Sequence, residues 1–280
     1  MTDINTDLPW FDNPPLTEVA ISVQFESIHG LQAPQIGLLW SKFREKYPIT
    51  EQHEPINPVL ETFNHPPSSI IQLEISQAPP TPRCWFLNSG GTELIQVQSD
   101  RFIHNWRKIK QGDDYPRYSY IRSEFSNEIE KFCQFLEEEK LGELNPIQCE
   151  ISYVNHIVSD DIWRKHSDLG KIFPSWNIHY SDDFLWDLEN VRLATQHVFS
   201  DKHGEPWGRL HISFNPAFRK EDESPMYVMS LVARGRPETE DIDGIFEFLD
   251  HGRELIVKAF ASVTSKNMHK NIWRRRDGIR

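Results

Sequence analysis

The amino-acid sequence predicts an α+β protein made of two similar antiparallel-sheet lobes, each with a long helix packed on it. Two β-rich stretches follow one another in the chain, and each ends in a long amphipathic helix. The links between predicted strands are too short for parallel crossovers. The order strand, helix, strands, helix occurs at residues 16–142 and again at 143–270. We interpret this as an internal duplication, with a flexible lead-in over residues 1–15 and a basic tail over residues 271–280.

The first lobe opens with alternating apolar and polar residues, which is the period of a half-buried strand. A helix is predicted over residues 33–47, because apolar side chains recur on one face and Pro48 ends the pattern. Further strands are predicted at residues 71–75, 84–87, 93–98 and 101–108. Gly90 and Gly91 fit a hairpin turn. The apolar stripe of residues 118–140 then predicts the long helix of this lobe.

The second lobe repeats this plan with an alternating strand at residues 149–154. Further strands are predicted at residues 184–199, 209–214 and 226–232. Thr239 is predicted to cap the last long helix, whose first turn is rich in acids, as suits the positive end of the helix dipole.

Composition and charge narrow the classes of protein that fit. Hydrophobic residues make up 38% and aromatic residues 12% of the 280, enough for a packed core. The net charge of −12 argues against non-specific binding of nucleic acid or anionic membranes by the body of the protein. Residues 264–280 nevertheless carry six cations against one acid. No signal sequence or long apolar run is present, and the three cysteines are scattered, so we expect a cytoplasmic protein without disulfides.

Several stretches of this chain resemble an uncharacterised, sporadically distributed prokaryotic family of conserved hypothetical proteins. They are residues 13–25, 84–87, 94–108, 115–118, 149–157 and 268–273, and they span nearly the full length. The resemblance implies no settled activity, cofactor or catalytic residue. The scattered distribution of that family is similar to that of genes in mobile or defence islands.

One predicted strand carries most of the candidate site. Alternation puts Arg101, Asn105 and Arg107 on one face of it, and His104 and Trp106 on the other. Two guanidinium groups and an amide can bind a carboxylate or phosphate through bidentate hydrogen bonds. The alternative is a solvated sheet face whose arginines pair with some of the chain's 42 acids.

A second candidate group lies in the strand that opens the second lobe. Asn155 and His156 can orient a substrate, or Asn155 can hydrogen-bond the backbone in a purely structural role. If a small molecule binds between the lobes, we expect Tyr153 and Trp106 to line the cleft together with an arginine of the first lobe.

The basic tail is the third candidate. Arg274, Arg275 and Arg276 are predicted to contact nucleic acid, an acidic protein surface or a second copy of the chain. The alternative is structural, because cations are favourable at a helix C-terminus.

Motifs for known chemistries are missing from the sequence. It has no Gly-rich phosphate loop, no Gly-x-Ser-x-Gly and no His-x-x-x-His pair, so we expect no cofactor and no metal site. Our first hypothesis is a non-enzymatic cytosolic interaction protein that binds a partner protein through an acidic two-lobed surface, in a defence or toxin-neutralising locus. A small-molecule binding protein with a cleft between the lobes is one alternative. A hydrolase or transferase that uses His104 or His156 is another, and it requires a histidine beside a carboxylate or nucleophile in a cleft.

Overall fold

The protein has an α+β fold, as the sequence predicts. A computed structural model describes residues 8–63, 81–176, 184–186 and 188–277. Most strands lie in one large antiparallel sheet, and a second sheet has two short strands. The strand predicted at residues 71–75 lies outside the described residues.

The elements of the described residues follow in chain order. The strands are β1 (Trp10–Phe11), β2 (Leu16–Phe25), β3 (Ile49–His53), β4 (Arg83–Leu87), β5 (Glu93–Gln98), β6 (Arg101–Arg107), β7 (Pro146–Val158), β8 (Leu193–Ser200), β9 (Pro206–Phe218), β10 (Pro225–Gly235) and β11 (Arg275–Arg276). The α-helices are α1 (Ala33–Phe43), α2 (Tyr118–Glu138), α3 (Leu169–Ile172), α4 (Ile242–Val263) and α5 (Lys266–Met268). A 3₁₀ turn covers His166–Asp168, and a π-helical turn covers His269–Trp273.

The large sheet contains strands from both halves of the chain. Its order is β3-β4-β5-β6-β2-β7-β10-β9-β8, and each neighbouring pair is antiparallel. The two halves meet where β2 pairs with β7. The predicted pair of lobes is therefore joined into a single sheet, because the first strand of each half bonds directly to the other. In each half the first strand lies beside the last, but internal duplication stays a prediction.

The apolar core lies between one face of the sheet and the two long helices. Alternate residues of the central strands, such as Ile21 and Ile151, are completely buried on this face. The apolar stripe of α2 packs on β6: Phe102 stacks on Phe132 with ring centroids 5.0 Å apart, and lies 6.1 Å from Phe125. The predicted stripe of α2 is thus the face that the sheet buries.

The helices α2 and α4 also bind each other above the junction of the two halves. The rings of Phe125 and Phe246 lie 5.8 Å apart. The carboxylate of Asp250 accepts hydrogen bonds from the Tyr118 hydroxyl at 2.7 Å and from Arg122 Nε at 2.8 Å. Both the sheet and the layer of helices packed on it are therefore continuous across the boundary between the predicted lobes.

Some predicted boundaries shift. α1 ends at Phe43, before residue 47. The strand predicted at residues 184–199 is found at Leu193–Ser200. α4 is capped by Asp241, whose carboxylate accepts the amide of Gly244 at 2.8 Å; Thr239 instead donates its hydroxyl to Asp241. The carboxylate is the stronger acceptor for the free amides of a helix N-terminus.

The described parts of the two terminal segments have more regular structure than the sequence suggested. The expected lead-in contains β1, which pairs with β11 of the expected basic tail. Phe11 is buried against Phe260 and His269, with both ring centroids 5.3 Å from its own. Burial of this aromatic ring explains why the segment docks.

The structure also bears on the membrane and disulfide expectations from the sequence. No helix within the described residues has the length and apolar character needed to cross a lipid bilayer. Cys84, Cys133 and Cys149 are free thiols, and burial raises the pKa of each of them above its ordinary value.

Two glycines provide a test of this packing. A Cβ at Gly235 would lie 2.4 Å from the carbonyl oxygen of Trp207 and 2.7 Å from the Phe248 ring, whereas a Cβ at Gly37 in α1 meets nothing within 4 Å. Gly235→Ala should lower the free energy of unfolding by about 1–3 kcal/mol or more, because the backbone carbonyl cannot yield. Gly37→Ala should raise it by up to about 1 kcal/mol through helix propensity. Urea unfolding measures both, and equal effects would contradict the packing described.

Candidate functional site: the polar face of the sheet

The face of the sheet opposite the long helices is polar, and we call it the polar face. It is built by the alternate residues that the core does not use. Among its charged and amide side chains are Glu18, Gln24, Arg83, Gln96, Gln98, Arg101, Asn105, Arg107, Gln148, Glu150, Arg209, His211 and Arg234. Many of them are buried, although no helix of the described residues packs on this face.

A chain of hydrogen bonds crosses the first half of this face. Arg83 Nη1 donates to Gln96 Oε1 at 2.8 Å. Gln96 Nε2 donates to Asn105 Oδ1, and Asn105 Nδ2 donates to Glu18 Oε1, both at 2.7 Å. The orientation of every amide is thereby fixed, from a cation at one end to a carboxylate at the other.

Two arginines on this face form no ion pair with a carboxylate of the described residues. Arg101 is 8% exposed and donates from Nη2 to Gln24 Oε1 at 2.6 Å. Within the described residues, neither Arg101 nor Arg83 forms an ion pair, and the Nε of each has no hydrogen-bond partner. Burial lowers the pKa of both guanidinium groups, and the charge of Arg101 lowers that of Arg83 further. The charges of Glu150 and Asp100 act in the opposite direction on Arg101, but burial outweighs them, and one donor nitrogen of each arginine stays without an acceptor among the described residues.

A segment without regular secondary structure crosses this face, and we call residues 54–63 the covering segment. The side chain of Gln98 bonds both backbone groups of Ile56, at 2.9 and 3.0 Å. Gln148 accepts the amide of Glu61 at 2.8 Å. Sheet side chains thus hold the segment as they would hold a bound peptide.

Glu61 anchors the covering segment to the second half of the sheet. It is 6% exposed, and its carboxylate contacts His211 Nε2 at 2.6 Å, the Arg209 guanidinium, and Arg234 Nη1 at 3.5 Å. Burial alone would raise the pKa of Glu61. The hydrogen bond from His211 and the charges of His211, Arg209 and Arg234 outweigh burial and hold it below its ordinary value. Three side chains therefore form a carboxylate-binding cradle, which we define as Arg209, His211 and Arg234.

The cleft predicted between the lobes is not found among the described residues. β2 and β7 pair directly, and the space between the sheet and the covering segment is a cavity of about 10 Å³. Its lining includes Ser22, Arg101 and Arg234. This is room for about one water molecule, far below the size of a small-molecule pocket.

The predicted site residues divide between the two faces. Arg101, Asn105 and Arg107 lie together on the polar face, as predicted from alternation. Arg107 donates from Nε to the carbonyl of Gly91 at 2.9 Å, and its guanidinium lies 5.5 Å from the Trp85 ring.

Trp106 and Tyr153 do not join these arginines. Both are buried on the helix-covered face, where Tyr115 lies 5.4 Å from the Trp106 ring and shares a 3.0 Å hydroxyl contact with Tyr153. The expected grouping of these aromatics with Arg101 or Arg107 is wrong, because neighbouring strand residues point to opposite faces.

Asn155 and His156 are likewise separated. Asn155 is buried on the helix-covered face and donates to the carbonyl of Met229 at 3.4 Å, which is the structural role. His156 is exposed on the opposite face, and its side chain forms no hydrogen bond or ion pair within the described residues.

His104 does lie beside a carboxylate. Its Nδ1 contacts Glu128 Oε2 at 2.7 Å, and the Tyr47 hydroxyl donates to the other oxygen of Glu128. His104 is completely buried in the core, however, with no cavity in the described residues lined by it. The hydrolase or transferase alternative gains no support from His104, which is sealed in the core, and it stays a prediction.

The sequence interpretation missed Glu61, Arg83 and the cradle. A signal for the cradle exists, because Arg209 and His211 alternate with Leu210 and Ile212 in an otherwise apolar strand. Glu61 carries no such signal, since it lies in a proline-rich stretch without periodicity. Within the described residues, no three His, Cys, Asp or Glu side chains come together as metal ligands would.

Comparison with known proteins gives no further guidance. No family model matches this chain, and no curated protein matches it significantly. The family resemblance therefore stays a prediction, and the function has to be argued from the geometry.

The anchoring role of Glu61 predicts a pH-dependent stability. A carboxylate whose pKa is lowered by folding stabilises the protein above its unfolded pKa, about 4.3, and the contribution is lost as the pH falls through the folded pKa. Glu61→Gln should lower the free energy of unfolding by about 1–3 kcal/mol near neutral pH. The difference between variant and wild type should shrink under acidic conditions, as measured by urea unfolding across a pH series.

Glu138→Gln is the matched control. Glu138 pairs with Lys42 at the surface, and its side chain is 56% exposed. Its loss should change stability by less than about 1 kcal/mol. Equal effects of the two substitutions at neutral pH would contradict the anchoring role of Glu61.

Proposed function

We propose that this protein is a non-enzymatic binding protein that recognises a carboxylate-bearing segment of a partner protein on the polar face of its sheet. The observation that carries the proposal is the position of Glu61, whose buried carboxylate is bound by the two arginines and the histidine of the cradle. Planar guanidinium groups suit carboxylates, because they offer paired donors in a fixed geometry. A carboxylate of a partner can take the place of Glu61 in the same contacts.

The covering segment supports a peptide as the occupant. It is itself a ten-residue stretch of irregular chain, held by bonds from Gln98 and Gln148 to its backbone. The 10 Å³ cavity beneath it is too small for a metabolite. A partner segment would lie along the face in place of the covering segment, with its backbone on the same glutamines.

Two further arginines of the polar face, Arg83 and Arg101, extend the site beyond the cradle. Arg101 and Arg83 lie on the same face, and their Nε groups have no partner within the described residues. A second acidic side chain on the partner would find charge-assisted donors there. The proposed binding surface is thus positively charged, although the net charge of the protein is −12. It differs from the acidic binding surface that we expected from the composition.

Exchange of the covering segment is physically reasonable. Its contacts to the sheet come from side chains rather than from strand pairing, and Val59 and Leu60 are 45% and 46% exposed. Segments with few buried apolar contacts open at low free-energy cost. A partner must bind the open state more tightly than the covering segment does, since only this difference shifts the equilibrium.

The test uses the covering segment as a probe. A synthetic peptide of residues 54–63 should bind the Glu61→Gln protein with a Kd below about 1 mM. Wild type should not bind it detectably, because the tethered copy competes at a high effective concentration. A peptide with glutamine in place of Glu61 should bind the variant about tenfold more weakly. Isothermal titration calorimetry measures these affinities.

Two further variants complete the experiment. Arg209→Gln in the Glu61→Gln background should abolish peptide binding, whereas Arg164→Gln, at a guanidinium 81% exposed away from the polar face, should leave it unchanged. Circular dichroism checks that each protein is folded. The proposal fails if the folded Glu61→Gln protein binds neither peptide, or if it binds both equally.

A further inference from the structure

A second cationic site lies at the C-terminal end of the described chain, separate from the polar face. Its basic residues surround an open cavity of about 710 Å³, and we call them the basic C-terminal surface: Lys266, Lys270, Arg274, Arg275 and Arg276. This volume is in the range of small-molecule sites.

Ordered backbone holds these cations in place. Lys266 and Lys270 lie on the helical turns that follow α4, and Arg275 and Arg276 form β11, which pairs with β1. Arg274 sits between them in the left-handed conformation, and its carbonyl accepts the amide of Asp12 at 3.2 Å. The surface is therefore part of the fold rather than a loose tail.

The charge on this surface is only partly compensated. Arg275 bonds Asp277 at 2.8 Å, and Arg276 bonds Asp12 at 2.9 Å. Within the described part of the chain, Lys266, Lys270 and Arg274 have no ion-pair partner. The remaining chain is strongly acidic, so a long polyanion would meet repulsion outside this surface. A compact anion fits the charge distribution better.

A buried histidine forms part of the wall of the same cavity. His269 is 3% exposed, and its Nε2 lies 2.7 Å from Thr264 Oγ1. Thr264 donates its own hydroxyl proton to the carbonyl of Phe260, so Nε2 of His269 is the donor and Nδ1 keeps a lone pair. Nδ1 has no hydrogen-bond partner among the described residues and is almost inaccessible to solvent, so a ligand reaches it by displacing the side chains that cover it. Burial, and then the charge of Arg275, lower the pKa of His269 to about 4, so the ring is neutral near pH 7.

We propose that the basic C-terminal surface binds a phosphomonoester that also carries a hydrogen-bond donor. The phosphate contacts Lys270 and Arg274, with Lys266 beside them, and the donor supplies the missing partner of His269 Nδ1. Cationic side chains without partners suit the two charges of a phosphomonoester. An unsatisfied buried acceptor favours a phosphomonoester whose organic group carries a hydroxyl or amino group over a phosphomonoester without one.

Adenosine 5′-monophosphate is a suitable probe, and adenosine is its matched control. The nucleotide should bind the full-length protein with a Kd below about 1 mM, and adenosine should not. The double variant Lys270→Gln/Arg274→Gln should bind the nucleotide at least about tenfold more weakly. The control variant Lys108→Gln/Lys110→Gln, at two exposed lysines elsewhere, should bind it like wild type.

Nuclear magnetic resonance of ¹⁵N-labelled histidine tests the second contact without a substitution in the core. The nucleotide should shift the Nδ1 resonance of His269, and methyl phosphate, whose organic group carries no donor, should shift it less. A 5′-phosphorylated tetranucleotide that binds like the mononucleotide, when its unphosphorylated form does not, would support the site and identify a nucleic-acid end as the source. The proposal is overturned by absent nucleotide binding, by unchanged binding in the double variant, by an unmoved His269 resonance, or by equal binding of both tetranucleotides.

Discussion

The pairing of β2 with β7 is the constraint on which the rest of the structure depends. It joins the two halves of the chain edge to edge, from Glu18 opposite Val154 to Gln24 opposite Gln148. Because side chains alternate along a strand, this single register decides which residues of both halves enter the core and which line the polar face. A shift by one residue would bury Gln24 beneath the helices and expose Val23. The large burial of apolar surface on one face therefore fixes the polar arrangement on the other.

That polar arrangement explains how an acidic protein comes to present concentrated positive charge. The register places Glu150 opposite Arg234, and Arg234 opposite Arg209, in one row across three strands. Glu150 bonds Arg234, but Arg209 is left to Glu61, which arrives from a segment remote in sequence. The covering segment thus supplies a negative charge to a face on which the strands alone would leave an excess of positive charge. The two cationic sites differ in this respect, since the polar face carries its own carboxylate, whereas three cations of the basic C-terminal surface have no ion-pair partner in the described part of the chain.

Local features of this fold are predictable from sequence, and distant pairings are not. The stripe of α2 and the alternation in β6 are set by neighbours within a few residues, so the helix bounds and the shared face of Arg101, Asn105 and Arg107 follow from the sequence. The docking of β1 on β11 and of Glu61 on β9 joins residues separated by well over a hundred positions. No local pattern encodes such contacts. The predicted grouping of Trp106 with Arg101 was wrong for a simpler reason, because it disregarded the alternation that the same strand displays.

Arg83 and Arg101, whose Nε groups have no hydrogen-bond partner within the described residues, are the strongest argument that the polar face has a role beyond folding. A buried guanidinium loses hydration, and a carboxylate partner normally offsets that loss. Arg101 donates only to neutral oxygens within the described residues, and its burial lowers its pKa even though the charges of Glu150 and Asp100 act in the opposite direction. A protein with 42 acidic residues has no shortage of carboxylates, and an apolar or amide residue at either position would fold at less electrostatic cost. Two such cations on the face that also holds the Glu61 cradle therefore support the proposal of a ligand that brings its own negative charge.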